Sequence, residues 1–430
     1  MAQQSILALK KEVLARLKPG KEAEEIVDEA VSAINKALKS AKIKAECTVG
    51  GSFAKKTNLK DDFDVDLFVR FEYSKYFEDD KKGGLPVLLE KILKKTFKGV
   101  ERVHGSRDYF HLKKGGFNFE VVPVLKIDDP KKAVNVTDMT PMHVAWVLKH
   151  KMGDEIMITK AFCKAAKCYG AESYIKGFSG HVLDILTIFY GSFEKLMKAA
   201  SSWDEEIKKP KNKGKIVIDF YNKHKGMALD NLNQSKMYSP LIIIDPVLPA
   251  RNASAALSRE KFDLFIESAK KFMKKPGIEF FEKKGLTKED AEKKAGKDRL
   301  IFIEAEALKG KEDVVGAKLL KAFEFLGNQL EENDLKLKDS KFEFDKNTGK
   351  SSIYFILDKK ELPTIEIRQG PPLSEKMHCE HFKKKYKDAF EKGKRLYAKT
   401  LREYTNPEAL VKDLIKDEYV KERVKSIRIA

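Results

Sequence analysis

The sequence predicts an α+β protein of several domains: a mixed sheet near the start, a helical middle, and a second α+β region with a basic end. Three observations carry this expectation. Strand-like alternation and helix-like spacing are interleaved along the whole chain. At 430 residues the chain exceeds what one ordinary core accommodates. Finally, the apolar run 63–71 contains two acids, Asp64 and Asp66. Alternate side chains of a strand share a face, so these carboxylates project together.

The elements follow in order. Ile6, Leu9, Val13 and Leu17 recur at helical spacing, as do Ile26, Ala30, Ile34 and Leu38, so residues 4–40 read as two helices broken at Pro19-Gly20. Residues 45–49 read as a strand running into Gly50-Gly51-Ser52, a turn that offers backbone N–H and hydroxyl donors to phosphate oxygens. Lys55 and Lys56 stand beside it, in a short segment before the strand with Asp64 and Asp66. Residues 85–97 form a helix with Leu88, Leu89, Ile92 and Leu93 apolar. Two strands, 107–113 and 117–127, flank the hairpin turn Lys114-Gly115-Gly116. In the second of these, Asn118 and Glu120 share the face opposite Phe117, Phe119 and Val121. Glu120 is therefore a third acid for the sheet if its strand pairs beside the Asp64 strand.

Adjacent carboxylates repel unless a cation lies between them, and a divalent ion with oxygen ligands, such as Mg²⁺, is the economical partner. Three converging acids would hold two such ions, one on an incoming triphosphate and both beside an attacking hydroxyl. The plainer alternative is an edge strand with a polar outer face.

Further along, Thr140-Pro141 starts a helix over 142–149, with Thr140 as N-cap and His143 in the first turn. Residues 156–169 read as a helix ending at Gly170. On it Lys160, Lys164 and Lys167 make one basic stripe, ordinarily a solvated face, and ideal geometry puts Tyr169 on the other side. Gly177-Phe178-Ser179-Gly180 opens a helix through Leu196 that is apolar nearly all round and hence buried; a glycine-rich helix start favours anions. Residues 241–244 form a buried strand ending at Asp245-Pro246, with Arg251 in the loop after it. Helices at 257–275 and 287–295 precede a strand at 300–308, a helix at 313–332, and strands at 335–345, 351–357 and 365–368. After Pro371-Pro372 come a Lys-rich helix over 374–389, a strand over 393–405 and a terminal helix. There Tyr386, Phe390, Tyr397 and Tyr404 interleave with Lys383, Lys384, Lys387, Arg395 and Arg402, a mixture suited to an RNA duplex backbone. Core aromatics among solvated lysines are the plainer reading.

Composition narrows the classes. A formal net charge of +19 points to a polyanionic partner, most often nucleic acid, although 66 acids beside 85 Lys and Arg also fit a solubilising charged surface. Hydrophobic content of 42% excludes a wholly disordered chain. The four cysteines (Cys47, Cys163, Cys168 and Cys379) contain no CxxC pair, which argues against a disulfide framework or zinc ribbon and fits a reducing cytosol. His378-Cys379-Glu380-His381 lacks a second ligand cluster and reads as a polar helix start. The sequence shows no membrane segment and, with Lys10 and Lys11 interrupting its start, no signal-peptide pattern, so a cytoplasmic protein is expected.

Gly51-Ser52, Thr57, Leu59 and Asp64-x-Asp66 resemble the signature of the nucleotidyltransferase superfamily that includes DNA polymerase β, and Glu120-Val121-Val122-Pro123 is similar to its third-carboxylate strand. Thr140-Pro141-Met142-His143, Lys160-Ala161-Phe162, Tyr169-Gly170-Ala171-Glu172, Gly177-Phe178-Ser179-Gly180 and Asp245-Pro246-Val247 with Arg251-Asn252 follow in the order of one branch, the archaeal (class I) CCA-adding enzymes. The resemblance implies a polymerase β-like catalytic head over 1–145, a helical nucleotide-binding neck over 146–257, an α+β body over 258–372 and a basic tRNA-binding tail over 373–430. It implies transfer of CMP, CMP and AMP from CTP and ATP to the tRNA 3′ end, without a template and with release of pyrophosphate. Asp64, Asp66 and Glu120 would hold two Mg²⁺ ions. Gly51, Ser52, Lys55, His143, Lys160, Tyr169 and Arg251 would contact the nucleotide, Arg251 at the base edge and at RNA phosphates. The expected partner is the acceptor and TΨC arm of tRNA, and a homodimer is compatible with the pattern. Some positions depart from it: Glu120 stands where Asp is common, Asp64 where some relatives have Glu, Lys55 where some have Arg, and Met139 where some have Arg. The alternatives are a poly(A) polymerase or oligoadenylate-type enzyme, and a catalytically silent RNA-binding protein, against which all three acids argue.

Overall fold

Five strands make the first sheet: β1 (Ala45–Val49), β2 (Asp64–Glu72), β3 (Glu101–Val103), β4 (Tyr109–Lys114) and β5 (Phe117–Lys126), ordered β1-β2-β5-β4-β3. Neighbours are antiparallel except β2 and β5, which run parallel. The alternation of β2 buries Val65, Leu67, Val69 and Phe71 against α2 (Lys21–Ser40) and α5 (Gly84–Thr96), leaving Asp64 and Asp66 on the other face. Between β4 and β5, Gly115 and Gly116 take φ of 57° and 82°, the positive pair that a tight two-residue hairpin needs. The Arg107 guanidinium braces the sheet, pairing with Asp80 and Asp138 and donating to the Pro123 carbonyl oxygen at 3.1 Å. Three buried charges are tolerable there because each is paired and hydrogen-bonded.

The computed structural model describes residues 6–60, 62–105, 107–359 and 362–430, so the expected helix start at residues 4 and 5 lies outside the described residues. It divides into two compact units, Met1–Lys284 and Gly285–Ala430.

In the first unit the sheet is followed by α6 (Thr140–His150), α7 (Gly153–Ala165), α8 (Gly180–Tyr190) and α9 (Phe193–Ala200), with α12 (Arg259–Lys274) later in the chain. Phe162, Phe178, Phe193, Phe262, Phe265 and Phe272 meet in one core with Leu9 and Val13 of α1 (Ile6–Leu17). The sequence starts the body at residue 258, but α12 packs into this first core. The expected Thr140 N-cap is also displaced. Asn135 and Asp138 form a capping box one short turn earlier, and α6 already includes Thr140.

Two expected helices end differently. The one over 156–169 stops at Ala165, Lys167 takes φ 58°, and Tyr169 then pairs alongside Phe178 in an isolated parallel bridge. The one running to Leu196 is two helices, broken where Gly191 takes φ 82° and Ser192 caps α9 by accepting from the Lys195 N–H at 3.1 Å.

In the second unit, strands β8 (Arg299–Glu306), β9 (Leu337–Asp345), β10 (Lys350–Leu357) and β14 (Ser426–Ile429) form a sheet ordered β14-β8-β10-β9. Leu319, Ala322, Leu326 and Leu330 of α14 (Glu312–Glu332) cover it. Strands β11 (Ile365–Pro372), β12 (Phe390–Lys392) and β13 (Arg395–Leu401) form another, with α15 (Lys376–Lys385) packed beside β11. The sequence misses β12 and β14, and its strand over 393–405 covers β13 alone. No helix among the described residues is long and apolar enough to cross a membrane.

Candidate active site

Parallel pairing of β2 with β5 sets Asp66 opposite Glu120 and Asp64 opposite Asn118. The turn before β2 is locked to it: the Gly50 N–H donates to the Asp66 carbonyl oxygen at 2.8 Å. Gly51 has φ 54°, and a Cβ there would lie 1.7 Å from Asp66 Oδ2, so this position admits glycine alone. Asp66 is half-buried. Burial, then the charges of Glu120 and Asp64, push its carboxyl up to about 6, while Lys55 and Lys160 pull the other way.

The other two acids have partners that the sequence did not reveal. Asp64 Oδ1 accepts from Asn118 Nδ2 at 3.2 Å. Glu120 Oε1 lies 3.2 Å from Nε2 of His111, its β4 neighbour, and that hydrogen bond raises the imidazole pKa above its ordinary value. Three carboxylates on one sheet face, with Asp66 reluctant to ionise beside the others, are a donor set that suits a hard divalent cation. Their ligand atoms do not converge as a set of three within 4.8 Å, so joint ligation requires the side chains to turn toward one another.

Coupled electrostatically to these acids is a buried cluster that joins the segment before β2 to α7 and α8. Lys55 Nζ donates to Asp184 Oδ2 at 2.7 Å, and Lys160 Nζ donates to Thr57 Oγ1 at 2.7 Å and lies 3.4 Å from Asp184 Oδ1. Lys55, Thr57, Lys160 and Asp184 are all buried. Burial pulls the Lys160 ammonium below its ordinary pKa, with Lys55 adding to the effect. Burial alone would raise the Asp184 carboxyl, but Lys160 and Lys55 outweigh it and hold the group well below the usual range. Lys160 and Tyr169 do converge, because Tyr169 sits beyond the end of α7: a Cβ on Gly180 would meet Tyr169 Oη at 3.0 Å and Lys160 Nζ at 3.8 Å. Lys164, the second member of the supposed solvated stripe, pairs with Asp62 instead.

A second buried carboxylate gathers the remaining candidates. Asp245 Oδ1 and Oδ2 each lie 3.0 Å from His143 Nε2, and Arg251 Nη1 donates to Oδ2 at 2.7 Å. Burial would raise the Asp245 carboxyl, but His143, His181 and the Val247 N–H hold it well below the ordinary range. Among the described residues, His143, His181 and Asp245 bring one ligand atom each to within 4.8 Å of one another. The Arg251 guanidinium already neutralises that carboxylate, an arrangement that disfavours a further cation.

Family models match three successive stretches: a nucleotidyltransferase domain at residues 31–136, a tRNA nucleotidyltransferase second domain at 154–282 and a CCA-adding enzyme C-terminal domain at 299–426. The CCA-adding enzyme of Methanocaldococcus jannaschii is 32% identical over 418 residues, covering 94% of this chain and 90% of that protein. The chain belongs to the CCA-adding enzymes. The family member from Nanoarchaeum equitans is 34% identical over 75% of this chain and 76% of its own length, and that from Methanosarcina mazei 29% over 84% and 78%. The fold is accordingly the polymerase β-like nucleotidyltransferase one, and divalent metal use comes with that class.

For a CCA-adding enzyme the expected RNA-facing cations divide unevenly. Lys384 and Lys387 are exposed, Lys383 is exposed with Nζ 3.4 Å from Glu391 Oε1, and Arg395 Nη1 donates to the Gly370 carbonyl oxygen at 3.2 Å. Arg402 is a correction. Its guanidinium is turned inward to Asp334 (2.9 Å), Glu366 (3.6 Å) and the Asn333 carbonyl oxygen (3.2 Å), leaving its side chain 8% exposed and its charge spent on the protein itself.

Sequence reasoning missed Asp184, His181 and His111 as members of the site, and met Thr57 only as part of the family signature, without a contact for it. For Asp184 a signal existed, a lone acid in an apolar helix; for the others only the folded contacts distinguish them.

Proposed function

We propose that this chain completes tRNA by stepwise transfer of CMP, CMP and AMP from CTP and ATP, at a site framed by Asp64, Asp66 and Glu120 and by Lys160, Tyr169 and Arg251. As a CCA-adding enzyme it is a tRNA nucleotidyltransferase. The observation that carries the site is the β2–β5 register, which puts Asp66 beside Glu120 on a strand hooked to the Gly50-Gly51-Ser52 turn.

Asp64, Asp66 and Glu120 are the residues to hold two Mg²⁺ ions, which when bound supply charge neutralisation to the triphosphate and the attacking hydroxyl. Gly51 and Ser52 give that end of the site its close backbone approach. Lys55, Lys160 and the Tyr169 hydroxyl bind the triphosphate, each contributing fixed positive charge or a donor in a place shielded from water. Arg251, with His143, orients the base; a guanidinium offers fixed donors to cytosine O2 and N3 or adenine N1. The 3′-hydroxyl of the RNA gives its proton to a neighbouring carboxylate or water, its oxygen bonds to the α-phosphorus while the bond to the α–β bridging oxygen breaks, and pyrophosphate leaves. The protein's share is positioning and electrostatic stabilisation. The acceptor and TΨC arm is held by the tail through Lys383, Lys384, Lys387 and Arg395.

The test is the order of nucleotides added, with Mg²⁺, CTP and ATP, to a tRNA transcript lacking its last three residues. The expected result is C, C and A, then arrest, and long A-tracts would overturn the reading. Asp66→Ala should lower incorporation at least about 1,000-fold while tRNA binding survives, since charge stabilisation is the main catalytic term.

A further inference from the structure

Two buried aspartates share out the cations of the nucleotide site, and His181 lies between them. Asp184 holds Lys55 and Lys160; Asp245 holds Arg251 and His143. His181, on the first turn of α8, has Nδ1 3.7 Å from Asp184 Oδ2 and Nε2 3.9 Å from Asp245 Oδ2. Both distances exceed a hydrogen bond. Both ring nitrogens are shut off from solvent and lack any hydrogen-bond partner. The ring leans on His143, with centroids 4.3 Å apart. Burial pushes its pKa down to about 4, so at neutral pH it is an uncharged imidazole with one N–H to give.

A buried polar ring with two unused nitrogens is a poor choice for packing alone, because each orphaned atom forfeits its hydration. Its position supplies the reason. In the free chain Asp184 Oδ2 takes Lys55 while its Oδ1 lies 3.4 Å from Lys160 without a hydrogen bond, and Asp245 is filled by Arg251, His143 and the Val247 and Leu248 N–H groups. A nucleotide offers phosphate oxygens to Lys55 and Lys160 and a base edge to Arg251, competing for those same cations. Whenever one turns to the ligand, a carboxylate oxygen loses a donor where water cannot replace it. The nearest replacement is the His181 N–H, and reaching either carboxylate needs a shift of under about 1 Å.

We propose that His181 is a positioning residue that couples the phosphate and base halves of the nucleotide site by giving its N–H to whichever aspartate has released a cation to the ligand. The inference rests on the nucleotide site proposed above. A neutral ring serves one aspartate at a time, so the loss at one carboxylate and the loss at the other are felt together.

The experiment measures KM and kcat for CTP and ATP on trimmed tRNA with wild type, His181→Phe, His181→Gln and His181→Asn, each checked for an unaltered melting curve. Phenylalanine keeps a ring without a donor; the two amides keep an N–H donor without the ring. The expected result is a KM raised about tenfold in His181→Phe, with kcat falling much less, and a KM within about threefold of wild type in at least one amide variant, since only the amides keep a donor to replace the lost cation. Equal KM in wild type and His181→Phe overturns the proposal, as does equal damage in all three variants, which would mark the ring's shape as what matters. Should His181→Phe not fold, the two amide variants decide: both raising KM tenfold overturns it. Lys160→Ala and Arg251→Ala, run alongside, separate the two readings. If both leave nucleotide KM unchanged, the nucleotide site itself is misplaced and this inference falls with it; if they raise KM and His181→Phe does not, only this inference falls.

Discussion

His181 enters the folded chain as a neutral ring, and that fixes the sign of one pH effect. Its pKa drops from 6.5 to about 4 on burial, so between those values the unfolded chain holds the proton that the folded chain refuses. Its contribution to stability is therefore complete above pH 6.5 and is lost as the pH falls toward 4. A shift of this size corresponds to about 3 kcal/mol at most. Asp184 and Asp245, held well below the carboxylate range, act lower: their contribution persists down to about pH 4 and is lost only beneath it. Urea unfolding of wild type and His181→Phe over pH 4 to 7 should show the wild type losing more stability on acidification; parallel curves would contradict the buried neutral ring. At this scale the sequence exposes what a pattern exposes. That Asp64, Asp66 and Glu120 share one sheet face was legible because strand alternation is local. Lys160 stood out only through the Lys160-Ala161-Phe162 motif, since the stripe with Lys164 and Lys167 describes a solvated face equally well, and it is Thr57 and Asp184 folding against it that bury the ammonium.

Helix ends decide what the elements present to the site. α7 stopping at Ala165, with Lys167 left-handed, swings Tyr169 into an extended segment beside Phe178 and toward Lys160. Continued helix would keep the two apart. The sequence placed that end at Gly170 because glycine is the usual left-handed residue, whereas the chain spends a lysine there. The α8–α9 break was likewise hidden by apolar residues running through it, although Gly191-Ser192 supplies both a left-handed terminator and an N-cap. A methyl group on Gly191 would meet nothing within 4 Å, so its substitution isolates backbone strain from crowding. Gly191→Ala should lower stability by about 1 kcal/mol, and Gly191→Asn by less, because asparagine tolerates φ above zero better. Thermal melts of both variants check this, and an alanine variant as stable as wild type would mean that the break needs no left-handed residue.

For the whole molecule the net charge of +19 was the broadest clue, and its distribution makes the last prediction. The unit Gly285–Ala430 has its own core, built from Ile301, Ile303, Leu319, Leu326, Ile353 and Phe355. Its last strand, β14, returns to pair with its first, β8, so the unit's two ends are stitched into one sheet. Such closure, together with a separate core, is what lets a stretch of chain fold alone. A fragment of residues 285–430 should therefore melt cooperatively by itself. Its exposed Lys383 and Lys384 on α15 and Lys387 on the segment after it, with Arg395 on β13, the middle strand of the β11-β13-β12 sheet, can meet RNA phosphates. Three or four such contacts imply that log affinity for tRNA falls with log salt at a slope of about −3. The fragment should bind tRNA with that salt dependence and add no nucleotide, since Asp64, Asp66 and Glu120 are absent from it. Charge reversal at Lys384 and Lys387 should flatten the slope by about two, while Arg402→Gln should lower the melting temperature and leave the slope nearly intact, its guanidinium being engaged with Asp334 and Glu366. Fluorescence titrations of labelled tRNA at graded salt measure both effects. A slope near zero, or an Arg402 variant that flattens it as much as the lysines do, would remove the tail from the RNA-binding surface or restore Arg402 to it.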